Sequence, residues 1–159
     1  MYLENSKTII VKIGSSLIID DKKIIRKKWL LEFAKDIKAL RKKNKNIIIV
    51  SSGAIALGCK KLNITKKKLK IDQSQAVASV GQIELMNLFK EVFAIQKINI
   101  SQILLTLEDT EIRRRAINAK RTIENLFNLN FIPIVNENDT IATSEIKYGD
   151  NDRLASRVA

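Results

Sequence analysis

Four short apolar runs, near 7–13, 46–51, 99–105 and 131–136, recur along this chain with amphipathic stretches between them. The second, Ile47 to Val50, is apolar at every position, as expected of a strand covered on both faces. Between the runs, apolar residues return at helical spacing. Leu30, Phe33, Ala34, Ile37 and Leu40 stripe a helix expected over 24–43, and Leu85, Leu88, Phe89, Val92 and Phe93 stripe one over 72–96. Ile112, Ala116, Ala119, Ile123 and Phe127 do the same over 109–129, while a short helix is expected at 53–60 and a basic loop at 60–71. Strands joined by helices predict a three-layer α/β/α sandwich with a mostly parallel sheet. Gly81 inside the longest helix costs about 1 kcal/mol against alanine, which close packing or function has to justify.

The ends of these runs carry the chemistry. Lys12 interrupts the first run and is followed by Gly14, Ser15 and Ser16. A lysine in a strand is costly to bury unless it faces something negative, and glycine lets backbone amides approach a phosphate. The two-glycine Walker pattern is absent. The second run ends in Ser51, Ser52, Gly53 and Ala54, where a helix could open with free amides. The last run drops into Asn136, Glu137, Asn138 and Asp139, then Lys147, Asp150, Asn151 and Asp152. Each end has a plain structural counterpart: an edge-strand lysine, a tight helix-packing turn, a solvated loop. Three strand ends finished in this way favour one shared crevice at a sheet edge.

Taken in order, VKIGSS, SSGAIALG, VGQIELM (Val80 to Met86), QILLT (Gln102 to Thr106) and IPIVNENDT followed by EIKYGDND resemble the amino acid kinase superfamily. Within it they are most similar to the branch that phosphorylates glutamate. The resemblance runs from about residue 7 to the last residue, and the pairing of NENDT with GDND is its most specific part. It implies ATP-dependent transfer of a phosphoryl group to the side-chain carboxylate of L-glutamate, giving glutamyl 5-phosphate at the start of proline biosynthesis. ATP and Mg2+ are the implied cofactors. Lys12 would neutralise phosphate oxygens and Asp150 would orient Lys12 or another lysine, making these two the catalytic residues. Gly14 would bind the nucleotide together with Lys12. Ser52, with the amides of Gly53 and Ala54, would bind glutamate along with Asp139 and Asn151, and Lys147 is a further candidate. No protein ligand for the metal is implied. Family members continue well beyond this length, so residues 1–159 are expected to be the amino-terminal part of a kinase domain. Most of the nucleotide-binding half, and any PUA domain, would then lie outside them. The alternative to an active kinase is an inactive half-kinase that only binds glutamate or assembles with a partner. By analogy a homo-oligomer is implied.

Composition narrows the classes further. With 159 residues and 45% hydrophobic content, the chain can bury a core of its own. The formal charge of +12 would suit a nucleic-acid binder, but aromatics are only 5% and do not interleave with the basic runs, so no nucleic-acid partner is expected. No apolar run is long enough to span a membrane and no export signal stands at the start, which fits the cytoplasm. Cys59 is alone and histidine is absent, which excludes a disulfide framework and an imidazole base. Catalysis has to run on Lys, Asp, Asn, Ser and backbone amides. A carboxylate acceptor suits that inventory, because it is already ionised near neutral pH and needs no base.

Overall fold

The computed structural model describes residues 2–65, 69–141 and 150–159, with the side chains of Tyr2, Leu3 and Asp150 left out. Its elements alternate as the hydrophobic pattern requires: α1 (Tyr2–Asn5), β1 (Thr8–Ile13), α2 (Ser15–Ile18), α3 (Lys27–Lys42), β2 (Asn46–Ser51) and α4 (Ala54–Lys61). There follow α5 (Ile71–Ile95), β3 (Asn99–Leu105), α6 (Leu107–Glu111), α7 (Arg113–Asn128), β4 (Phe131–Glu137) and α8 (Asp150–Val158). The four strands form one parallel sheet in the order β1-β2-β4-β3. The sheet is therefore wholly parallel among the described residues, and the expected α/β/α layering holds.

Alternation along β2 explains the layers. Ile47 and Ile49 point to one face, where they join Ile13, Ile132 and Ile134 against Leu30, Ala34 and Ile37 of α3 and Leu85, Phe89, Val92 and Phe93 of α5. Ile48 and Val50 point to the other face and meet Val135, Ile123 of α7 and Leu154 of α8. A strand buried on both sides has to be apolar throughout, which is what the Ile47–Val50 run encodes. The second face is the thinner layer. Ile123 is the one buried residue described on α7, and a cleft of about 780 Å3 separates that helix from β1, β2 and the end of α8.

Two helix boundaries depart from the sequence expectation for local reasons. The helix expected from 24 begins at Lys27, because the Ile24 amide donates to the Asp20 carboxylate (2.8 Å) and Lys23 adopts φ 59°. A side chain that satisfies a backbone amide in this way competes with helix formation. The single helix expected over 109–129 is two. The Thr106 hydroxyl accepts from the Asp109 amide at 3.2 Å while the Asp109 carboxylate accepts from the Thr106 amide at 2.8 Å, which starts α6 early. Ile112, a β-branched residue, then leaves the helical region with ψ 108° before α7 begins.

Gly81 receives a packing explanation. A Cβ there would land on the Ala54 carbonyl oxygen and 2.5 Å from the Gly58 amide nitrogen, so α4 and α5 touch backbone to backbone. Gly58 makes the reciprocal approach to Val77. This contact fixes the start of α4, and with it the turn that leaves β2.

Candidate active site

The parallel register brings three strand ends to one rim. Ile13 pairs with Ser51 and Val50 with Val135, so the residues that follow them emerge side by side. The Ser52 amide donates to the Ile13 carbonyl at 3.0 Å, tying the exit of β2 to the exit of β1 beside Gly14. The chain leaves β2 through α4 and α5 toward one face, whereas α8 after β4 lies on the other. Neighbouring strands whose connections part in this way open a crevice between their carboxyl ends. Gly53 makes the turn into α4 at φ 118°, a conformation that L side chains rarely adopt.

Within this crevice Lys12 Nζ meets Asp152 Oδ1 at 2.8 Å, with the lysine side chain one-third exposed. Asn151 Nδ2 donates to Ser52 Oγ at 2.9 Å, across 99 residues of sequence. The first turn of α8 thus presents adjacent residues to the ends of β1 and β2. Gly14 leaves room beside the ammonium: a Cβ there would meet only Lys12 Nζ at 3.8 Å and Ser16 Oγ at 4.0 Å. Nothing in the fold requires glycine at this position, since its φ of −75° suits any residue. The open space next to a lysine fits an anionic oxygen, and Lys12 with Gly14 could hold the phosphates of a nucleotide.

Of the residues singled out in the sequence, Lys12, Gly14, Ser52 and Asn151 come together. Asp139 is half-buried in the turn after β4, on the same rim, where the Asn138 amide donates to the Leu105 carbonyl at 2.9 Å. Lys147 and the side chain of Asp150 lie outside the described residues. Among the described residues, the carboxylate that meets Lys12 is Asp152, two positions beyond Asp150. Sequence reasoning placed Asp152 in the polar loop but gave it no role; its place one residue after Asn151 on α8 was the signal. Asn136, only 2% exposed, donates through Nδ2 to Gln82 Oε1 at 2.7 Å, which brings in a residue of α5 that had no assigned part. Gln82 directly follows Gly81, a glycine that periodicity alone does not justify inside a helix, and that adjacency could have pointed to it.

The Asp109 carboxyl lies just behind this rim. Burial pushes its pKa up, but hydrogen bonds from the Thr106 amide and hydroxyl and the Arg115 guanidinium outweigh that and hold it below the usual 3.8.

The amino acid kinase family description matches residues 7–159. The chain belongs to the amino acid kinase family. It is 79% identical over all its 159 residues to the glutamate 5-kinase of Pelagibacter ubique, covering 43% of that protein. It is 50% identical over 158 residues to the glutamate 5-kinase of a Ruegeria species, again over 43% of its length, and 52% identical over 157 residues to that of Sinorhizobium fredii, over 40%. The chain therefore spans about two fifths of the length of these relatives. Among solved structures, a Giardia carbamate kinase aligns with TM-score 0.53 at 10% identity, over 82% of this chain and 60% of that one. A T. acidophilum isopentenyl phosphate kinase aligns with TM-score 0.54 at 11% identity, over 82% and 54%. At such identities the structural likeness is one of fold alone. No helix among the described residues is long and apolar enough to cross a membrane.

Proposed function

We propose that this chain belongs to a glutamate 5-kinase and carries its acceptor site, where the side-chain carboxylate of L-glutamate takes the γ-phosphoryl group of ATP. A carboxylate oxygen forms the new bond to phosphorus, the bond to the bridging oxygen of ADP breaks, and no proton moves. The product, glutamyl 5-phosphate, is an acyl phosphate and opens proline biosynthesis. The observation that carries this reading is the meeting of Lys12 with Gly14 and of Ser52 with Asn151 at a single strand rim, in a chain 79% identical to a glutamate 5-kinase.

Both reactants are anions, so the barrier to be lowered is largely electrostatic and positional. Lys12 supplies positive charge at the rim, and its ion pair with Asp152 keeps the ammonium directed while leaving it accessible. Ser52 and Asn151 hold one another in place and present hydroxyl and amide groups to the amino acid, with Asp139 on the same rim as a counter-charge for its ammonium. Mg2+ accompanies the nucleotide and neutralises phosphate charge when bound. Adenine contacts are assigned to chain outside these residues, as is most of the nucleotide-binding half.

The test is ATP-dependent formation of glutamyl hydroxamate, with hydroxylamine trapping the acyl phosphate. L-glutamate-dependent product is expected, falling at least a hundredfold in Lys12→Ala and strongly in Gly14→Ala, whose methyl fills ligand space without a clash in the fold. Equal product without glutamate, or full activity in Lys12→Ala, would refute the assignment.

A further inference from the structure

Four buried side-chain atoms among the described residues have no hydrogen-bond partner, and three of them belong to residues of the crevice: Gln82 Nε2, Asn136 Oδ1 and Asn151 Oδ1. The fourth, Ser101 Oγ, sits on the edge strand β3. A buried amide group without a partner costs about 1–3 kcal/mol, so three at one rim call for something that completes them. The Gln82–Asn136 pair cannot complete itself. Two primary amides joined by one hydrogen bond leave one whole NH2 group and one carbonyl oxygen without any partner, whichever way the two are turned. With Asn151 Oδ1 added, the unpartnered set is one amide NH2 group and two carbonyl oxygens. That set matches a carboxylate oxygen beside an ammonium, the α-end of an amino acid.

We propose that Gln82 is a substrate-recognition residue: it fixes the Asn136 amide through Oε1 and donates through Nε2 to the α-carboxylate of the bound amino acid. The inference rests on the reading of L-glutamate as acceptor and adds to it a residue from α5, an element that no other proposed contact uses. The packing explains how a helix residue reaches this far. Gly81 lets α5 lie directly on the backbone of α4, which brings the next residue, Gln82, against the end of β4. Any larger side chain at 81 would hold the amide away from Asn136.

The experiment is a calorimetric titration of L-glutamate into the full chain and its Q82M, Q82L and Q82E variants, each also melted to show that it folds. Q82M and Q82L lose both functions of the amide and should bind about tenfold or more weakly, the equivalent of one hydrogen bond to a charged group. Q82E keeps an acceptor for Asn136 but sets an anion where the donor was, and should bind more weakly still. A residue that merely held Asn136, or merely packed, would give the opposite order, with Q82E close to the unsubstituted chain. That order, or undiminished binding in Q82M and Q82L, would overturn the proposal. Two apolar variants are used so that a folding failure in one leaves the comparison intact. If the unsubstituted, folded chain does not bind L-glutamate, the acceptor reading itself fails, an outcome distinct from a wrong order among the variants.

Discussion

Replacing Gly81 with alanine sets two well-defined effects against each other. Helix propensity alone favours alanine by about 1 kcal/mol in the interior of a helix such as α5. The structure opposes it: the new Cβ would press on the Ala54 carbonyl oxygen, 2.5 Å from the Gly58 nitrogen and 2.7 Å from the Ala54 carbonyl carbon. All three are backbone atoms, so no side chain can swing aside. Reaching an ordinary contact of 3.4 Å from the Gly58 nitrogen alone requires a shift of about 0.9 Å, and the Ala54 oxygen, which lies closer still, requires α4 and α5 to part by more than that. Helix α4 has little freedom to yield, because Ala54, Ile55, Leu57, Gly58 and Cys59 are all buried. Overpacking of this kind costs about 3 kcal/mol at the upper end of its usual range, which leaves a net loss of about 2 kcal/mol after the propensity gain. For a domain of this size that lowers the melting temperature by about 4–8 °C, read from circular dichroism at 222 nm. Glutamate affinity should fall as well, since the separation displaces both the start of α4 and Gln82. A variant that melts at or above the unsubstituted chain would refute the reasoning, by showing that the contact is soft and propensity decides.

Other outcomes follow from single features. Lys97 holds φ 58° just after α5, where Asn44, Asn63 and Asn130 play the same part after α3, α4 and α7; Lys97→Gly should stabilise the chain by about 0.5–1 kcal/mol in denaturant melts. Asp109 is held below its ordinary pKa of 3.8, so its stabilising bonds are complete above that value and are lost as pH falls through the folded value. The acid limb of a stability–pH curve should therefore flatten in Asp109→Asn, with the gap between the two proteins shrinking as pH falls below the ordinary carboxyl value of 3.8. Ser52→Ala and Asn151→Ala should be non-additive, with a coupling of about 0.5–1.5 kcal/mol in a double-mutant cycle on stability. The Lys12–Asp152 pair is partly exposed, so Lys12→Ala should change the melting temperature little while removing activity.

Much of the layering was legible because it is written in local periodicity. β2 and β3 occupy the expected 46–51 and 99–105, where isoleucine-rich runs leave no other structure plausible, and α5 lies within one residue of its expected bounds. Boundaries set by one side chain were not legible in this way. Asp20 delays α3, and the Thr106–Asp109 exchange of hydrogen bonds divides what periodicity alone presents as one helix. Strand order lies further out of reach, because insertion of β4 between β2 and β3 depends on contacts between distant segments. The site divides along the same line. Lys12, Gly14, Ser52 and Asn151 could be named from strand ends and motifs, since those features are local. The choice of Asp152 as the partner of Lys12 depends on which side of α8 faces β1. Gln82 depends on how closely two helices pack, and only the glycine beside it hinted at that.

The bond between Ser52 and Asn151 also bears on timing. Its two residues stand 99 positions apart, and the second lies within the last ten residues of this chain. At synthesis rates of about 5–20 residues per second, the β1–β2 rim is made several seconds before the helix that closes it. Until then the crevice has no α8 wall. A ligand that binds only the closed crevice stabilises the finished fold and none of its precursors. Such a ligand would favour the chains in which α8 has found the ends of β1 and β2.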